Sequence, residues 1–252
     1  MAAVREWVVV VGATGAFGAV MVERFIGRGL GVLAVARNAA TLAELAARYP
    51  GQLVPCAADI ASDAAIEAIR AALPGPVRMV VHGPGVAVGG GVLNIDTAAL
   101  VDAVNIKVGG LLRLVRAVDG RLQPDSRLVA IGGHYGFEPT AYAAAAGVAN
   151  AALVNVIRQL SLAYGERGIT AHLVVPGPAD TERLRRVAAD RARMNNTTVE
   201  AVLEAMKAES SHHIFTEPGQ VAWALEMLLA PEATAMTGSS LMLDAGRRRG
   251  LP

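Results

Sequence analysis

Short apolar runs return at regular intervals along this 252-residue chain, separated by stretches of helical period. The first is WVVVVG (7–12), followed by GVLAVAR (31–37), QLVPCAAD (52–59), VRMVVHG (77–83), SRLVAIGG (126–133), GITAHLVVPG (168–177) and GSSLMLDAG (238–246). A run without polar alternation is what a strand requires when both its faces are covered. Between them, TLAELAARY (41–49), DAAIEAIRAAL (63–73), 97–118, 140–167, 181–209 and GQVAWALEMLL (219–229) read as helices, as does the stretch after position 12 through Ile26. Strands that alternate with helices at this spacing pair in parallel, because each parallel pairing needs a crossover long enough to hold a helix. The expected fold is α/β: one doubly wound parallel sheet of about seven strands with helices on both faces, a single domain over 1–252. Such a sheet puts its ligand crevice beyond the carboxyl ends of its strands.

The composition supports a core of that size, with 53% hydrophobic and 18% charged residues. Lys and Arg number 23 against 22 Asp and Glu, a formal charge of +1. No broad field results, so neither nucleic acid nor a membrane surface is an expected partner. A single cysteine, Cys56, excludes an intrachain disulfide and a cysteine-based metal cluster. No secretory signal precedes the first strand, which points to the cytoplasm. The longest uncharged run, 139–157, is mostly alanine and contains Asn150 and Asn155, so it reads as a buried helix.

Directly after the first strand, VVVVGATGAFG carries glycines at 12, 15 and 18 at the mouth of a helix. Gly12 allows the tight turn, Gly15 lets the backbone approach a pyrophosphate, and Gly18 permits close packing of helix on strand. Thr14, Ala16 and Phe17 complete this turn, and the helix N-terminus faces the anion. In this strand–turn–helix context the expected fold is of the Rossmann type and the expected cofactor a dinucleotide. At the end of the second strand stand Arg37 and Asn38, where an acidic residue would select NAD. A guanidinium there suits a 2′-phosphate, so NADP(H) is expected in preference to NAD(H). Asp59 and Ile60 close the third strand, with Asp59 set to meet an adenine amino group.

With these residues the chain resembles the short-chain dehydrogenase/reductase family over essentially its whole length. VHGPG (81–85) stands in the place of the family's Asn-Asn-Ala-Gly segment, which implies that His82, Gly83 and Pro84 lie along the cofactor. VNIKVGG (104–110) resembles the central helix, where Asn105 matches the asparagine that holds a proton-relay water. VVPGPADT (174–181) is similar to the proline-glycine segment, which implies cofactor contacts from Pro176, Gly177, Ala179 and Thr181. TGSSLMLDAG (237–246) matches the last strand. The resemblance further implies a lid over about 181–215 and a homodimer or homotetramer formed through the 97–118 and 140–167 helices, with a hetero-oligomer as the alternative.

In that family a serine ends the fifth strand, and a tyrosine follows with a lysine four residues after it. Here Gly133 stands at the serine position, Tyr142 matches the tyrosine, and Ala146 stands where the lysine would be. A tyrosine without that ammonium titrates near the free phenol value of about 10, with on the order of one molecule in a thousand ionised at pH 7. Reduction of a carbonyl, which needs the neutral phenol, is therefore favoured over oxidation of an alcohol. His134, Tyr135 and His82 are candidates to help Tyr142. No metal site is expected, because His212 and His213 are adjacent and join no cluster, and His172 reads as structural. The arginines of 183–193 are expected on an amphipathic lid helix and those of GRRRG (246–250) on a solvated tail. Two functions stay open. One is NADP(H)-dependent reduction of a small carbonyl substrate with Tyr142 as proton donor. The other is NADP(H) binding without turnover, as the supporting subunit of a heteromeric reductase or as a nucleotide sensor.

Overall fold

The structure is a computed structural model that describes residues 5–87 and 90–250. The expected domain, 1–252, thus includes residues 1–4, 88–89 and 251–252, which lie outside the described residues. Seven parallel strands form one sheet: β1 (Trp7–Val11), β2 (Gly31–Ala36), β3 (Leu53–Ala57), β4 (Val77–His82), β5 (Leu122–Ile131), β6 (Thr170–Pro176) and β7 (Ser240–Leu243). Their order is β3-β2-β1-β4-β5-β6-β7. The chain winds outward from β1 through β2 to β3, then returns to the other side of β1 to begin β4. The strand order therefore reverses between β1 and β4, and the loops leaving these strands diverge there.

Both faces of the sheet are covered, which explains the unbroken apolar runs. Val9 and Val11 join Leu33 and Val80 in one core, beneath α3 (Ala64–Ala72), α5 (Gly110–Val118) and α6 (Ala144–Tyr164). Val8 and Val10 point the other way, against Met21 and Phe25 of α1 (Ala16–Gly27), Leu42 of α2 (Ala39–Ala47) and Leu225 of α9 (Pro218–Met227). Each such buried side chain contributes on the order of 1.5–3 kcal/mol relative to exposure. Pro55 cannot donate to a ladder, and it is tolerated because β3 is an edge strand. β3 ends at Ala57, short of the expected 59, because the Asp59 carboxylate turns to accept the Ala61 N–H at 3.1 Å.

The long helix expected over 97–118 is present with an interruption. It runs as α4 (Thr97–Val104), a π-helical turn (Asn105–Gly109) and α5. The wide turn closes with the Gly110 N–H on the Asn105 carbonyl. Gly110 also gives room beneath: a Cβ there would come within 2.8 Å of the His82 ring.

Two expectations are overturned. The alanine-rich helix starts at Ala144 rather than 140, so Tyr142 stands in the turn before α6 and not on it. Its first turn is lost because the Ala141 carbonyl accepts the Val92 N–H at 2.8 Å, a bond to the preceding loop instead of a helical one. Nor is the basic tail solvated throughout: Arg249 is exposed, but its start at Arg247 is not. Arg247 is buried, paired with Glu209 and donating to the Met206 carbonyl at 3.1 Å; both partners lie at the end of the lid segment. The backbone N–H groups of Arg249 and Gly250 meet one carboxylate oxygen of Glu138 at 3.1 and 3.0 Å.

The segment expected as a lid forms α7 (Glu182–Met194) and α8 (Val199–Ala208), packed through Leu184, Ala188, Val202 and Met206. Thr181 caps α7, accepting the Leu184 N–H. Among the described residues no helix is long and apolar enough to cross a membrane.

Two predictions follow from buried polar groups in this framework. His82 and His172 are fully buried, and burial pushes their imidazoles down to about 3 and about 4. The unfolded chain takes up protons at both rings below about pH 6.5 while the native state does not, so native stability falls as pH falls from there towards 4. The expected slope is up to about 1.4 kcal/mol per pH unit for each ring, and melting temperature against pH should flatten in a His172→Gln variant. Replacing Arg247 with methionine should cost about 2 kcal/mol by chemical denaturation and speed amide exchange in α8.

Candidate active site

Gly12 adopts φ +86°, the left-handed conformation that turns the chain sharply out of β1. The turn ends at Gly15, which precedes α1, and no side chain caps that helix, so the positive end of its dipole is left open. A Cβ at Gly18 would overlap the Gly12 carbonyl oxygen and stand 2.5 Å from the Ala13 carbonyl carbon. Only glycine allows α1 to lie this close to its own turn.

This turn opens into a cavity of about 570 Å³ along the carboxyl ends of β1, β4, β5 and β6. Of the residues expected to hold a cofactor, Gly12, Thr14, Gly15, Ala16, Phe17 and Gly18 line one end. Gly83 lines the middle, and Pro176, Gly177, Ala179 and Thr181 line the far wall. Pro84 follows Gly83 in the β4 loop but is not part of the wall. Arg37 is exposed just past β2, beyond the cavity. Asn38 is occupied as the cap of α2, its side-chain oxygen accepting the Ala40 and Thr41 N–H groups at 2.9 and 3.2 Å. Ile60 is buried in the core beside the exposed Asp59. His82 does not face the cavity: its Nε2 meets the Ile106 carbonyl at 3.0 Å and its ring lies wholly inside the fold. The His82 side chain thus stands behind the wall and not in it.

The residues expected to carry chemistry separate in the same way. Asn105 turns from the cavity, its Nδ2 donating to the Ala61 carbonyl at 3.0 Å. Tyr142 is outside the wall, with the Arg191 guanidinium 4.5 Å over its ring. Its hydroxyl lies 2.6 Å from that of Tyr135, which does line the cavity. Burial and that hydrogen bond push the Tyr135 phenol up to about 12. His134 also lines the cavity; burial, followed by the charge of Arg247, lowers its imidazole to about 4. Its Nε2 has no hydrogen-bond partner among the described residues.

Further polar side chains in the wall were missed from the sequence: Lys107, Asn150 and Arg183, with Glu182 and Arg186 beside the last. Lys107 comes from the π-helical turn and is buried, with Nζ donating to the Ile131 carbonyl at 2.8 Å. Burial, then the nearby Arg183 charge, lowers its ammonium to about 7. Arg183 is the second residue of α7 and donates to the Val86 carbonyl across the cavity mouth. Asn150 projects from α6 one turn after Ala146, which also lines the cavity. A Cβ at Gly133 would stand 3.0 Å from the Asn150 Nδ2, and the Asn150 Oδ1 has no partner among the described residues. The signal for the first two was present. Lys107, Leu111, Leu114 and Val118 share one helical stripe, as do Ala146, Asn150, Leu153 and Ile157, so a polar group on each stripe faces inward.

A family model described as Enoyl-(Acyl carrier protein) reductase matches residues 12–248. A putative ketoacyl reductase of Streptomyces coelicolor is 27% identical over 253 residues, covering 96% of each chain. A cyclic-di-GMP-binding biofilm dispersal mediator protein of Escherichia coli is 26% identical over 238 residues, 94% of each chain. The NADPH-bound structure of a short chain oxidoreductase from Pseudomonas aeruginosa, described as containing an atypical catalytic center, matches with TM-score 0.85 at 22% identity over 98% of each chain. That last likeness is one of fold. Since the family match extends from the glycine turn to the carboxyl-terminal strap, this chain belongs to the short-chain dehydrogenase/reductase family.

Proposed function

We propose that the protein is an NADP(H)-dependent reductase of a small carbonyl substrate, with NADP(H) preferred over NAD(H). The observation that carries this reading is the glycine turn, with its Cβ-free cradle at Gly18, opening into the same cavity that Lys107, Tyr135 and Asn150 line. The cradle fits a dinucleotide: Gly12 to Gly18 and the open end of α1 would hold the pyrophosphate. Arg37, exposed past β2, would take the 2′-phosphate, with Asn38 fixing the start of α2 beside it. Asp59 and Ile60 would border the adenine, while Gly177, Ala179 and Thr181 would border the nicotinamide. When bound, the reduced nucleotide supplies hydride. The chain itself must orient the carbonyl, exclude water and deliver a proton to oxygen.

The family's catalytic positions are best assigned from the wall. Ala146 and Asn150, one helical turn apart and both facing the cavity, take the places of tyrosine and lysine, and Gly133 takes that of serine. This moves the tyrosine position one turn along from Tyr142, the donor expected from the sequence. All three family groups are then replaced, and the site is atypical. That replacement also favours the second reading, nucleotide binding without turnover. Copies of the chain are proposed to pair through α4, α5 and α6, whose outer faces expose Val101 and Val148.

Calorimetry should give a tighter Kd for NADPH than for NADH, and Arg37→Ala should remove about 10- to 100-fold of NADPH affinity with little effect on NADH. Equal affinities in the unaltered protein would sink the NADP(H) preference. Steady NADPH consumption with at least one ketone or aldehyde of a broad panel is required by the reductase reading. Tight NADPH binding with no consumption across the panel would establish the second reading in its place.

A further inference from the structure

Two cations line the cavity, buried Lys107 in its inner wall and the more exposed Arg183 at its mouth, and neither is in an ion pair among the described residues. Lys107 spends one N–H on the Ile131 carbonyl at the end of β5. An ammonium carries three donors, so two remain for the cavity. Opposite it the same cavity holds two unpartnered buried atoms, the Asn150 Oδ1 and the His134 Nε2. Polar atoms of this kind are normally satisfied: the Asn150 Oδ1 calls for a donor group of a ligand, and the His134 Nε2 for a donor or an acceptor according to its tautomer.

Resting on the reductase reading, we infer that Lys107 is the catalytic proton donor to the reacting carbonyl oxygen, a role that a phenol fills in the resembled family. The other ionisable groups of the wall are excluded by their chemistry. Arginine does not release its proton at working pH, which removes Arg183 and Arg186. Tyr135 is held neutral far above pH 7 by burial and by Tyr142, so its proton is poorly matched to transfer. His134 is held as the neutral ring. Glu182 is at the outer rim, its side chain 85% exposed and 3.6 Å from Arg186. Asn150 has no ionisable proton, and Tyr142 is outside the wall.

Lys107 suits the task on geometry and on charge. Its Nζ is anchored by a main-chain carbonyl, so the amine keeps its place after losing a proton. Its surroundings offer no compensating carboxylate: His82 faces it from β4 and Arg183 from α7. In the step, the carbonyl carbon gains hydride from the reduced nicotinamide nucleotide, and the C=O π electrons become the pair that binds the Lys107 proton. An alcohol, the oxidised nucleotide and a neutral amine result, and water then reprotonates the amine. The step needs the charged form, so turnover should fall as pH rises through about 7, where the ammonium is lost.

The chain has two lysines, Lys107 and Lys207, which makes the test direct. With lysine labelled by carbon-13 at Cε, a Lys207→Arg variant leaves a single lysine resonance, which should titrate with a midpoint near 7. In turnover with a carbonyl found active, Lys107→Met should lower kcat about 100-fold or more. NADPH affinity by calorimetry should stay unchanged, and the alkaline limb of the kcat profile should vanish. Lys107→Arg, which keeps the charge and a donor but not the labile proton, should stay equally impaired. A midpoint in the ordinary lysine range of about 10.4, full kcat in the Met variant, or rescue by arginine would each overturn the donor role while leaving the reductase reading intact. An unaltered protein that binds NADPH but consumes none would overturn both.

Discussion

Helix α1 lies closer to the turn after β1 than any side chain at position 18 would permit. That approach fixes the direction of the helix axis and leaves its uncapped N-terminus open to the crevice. The crevice itself exists because the sheet reverses its order between β1 and β4. With both sheet faces covered by helices, the carboxyl ends of the strands are the place where loops can gather around a ligand. One missing methyl group and one topological reversal thus position the whole cavity. The other polar residues of the site act within that frame.

At its inner end the cavity departs from what the family resemblance implies. Tyrosine and lysine a turn apart on one helix would supply an acid and a charge that tunes it. Here α6 presents alanine and asparagine at that interval, and the cation comes from the neighbouring helix at its π-helical turn. A π-turn inserts one residue into the helical count and re-aims the side chains within it. Lys107 faces the end of β5 from there, and the closely packed Gly110 lets the helix sit down on His82. The buried cation of this cavity therefore comes from the π-helical turn, and the carboxylate that lines it, Glu182, stands at the rim.

Much of the fold was legible because its signals are physically unambiguous. Four successive valines in β1 have no stable place except between two layers, and the 12, 15, 18 glycine spacing has a backbone reason at each position. The catalytic end was less legible, for reasons the residues make plain. In TAYAAAAGVANAA almost every position is small, so neither the start of the helix nor its inward face can be phased from hydrophobicity. The start was then decided by one main-chain bond from the loop at Val92, which no local pattern encodes. Lys107 was legible in principle, as a charge on the stripe that continues through Leu111 and Leu114. In VNIKVGG the family resemblance rests on Asn105, two residues before it. Arg247 was read as solvated because its partners, Glu209 and Met206, are some forty residues away in the chain and become neighbours only after folding.

The strap formed by that arginine and its successors has a mechanical meaning. It fastens α8, which roofs the cavity through Met206, to Glu138 in the segment that follows the floor at β5. Roof and floor are therefore held at a fixed separation by a ligature of a few residues, outside the wall itself. The spacing of roof and floor is thereby tied to residues that do not themselves line the cavity.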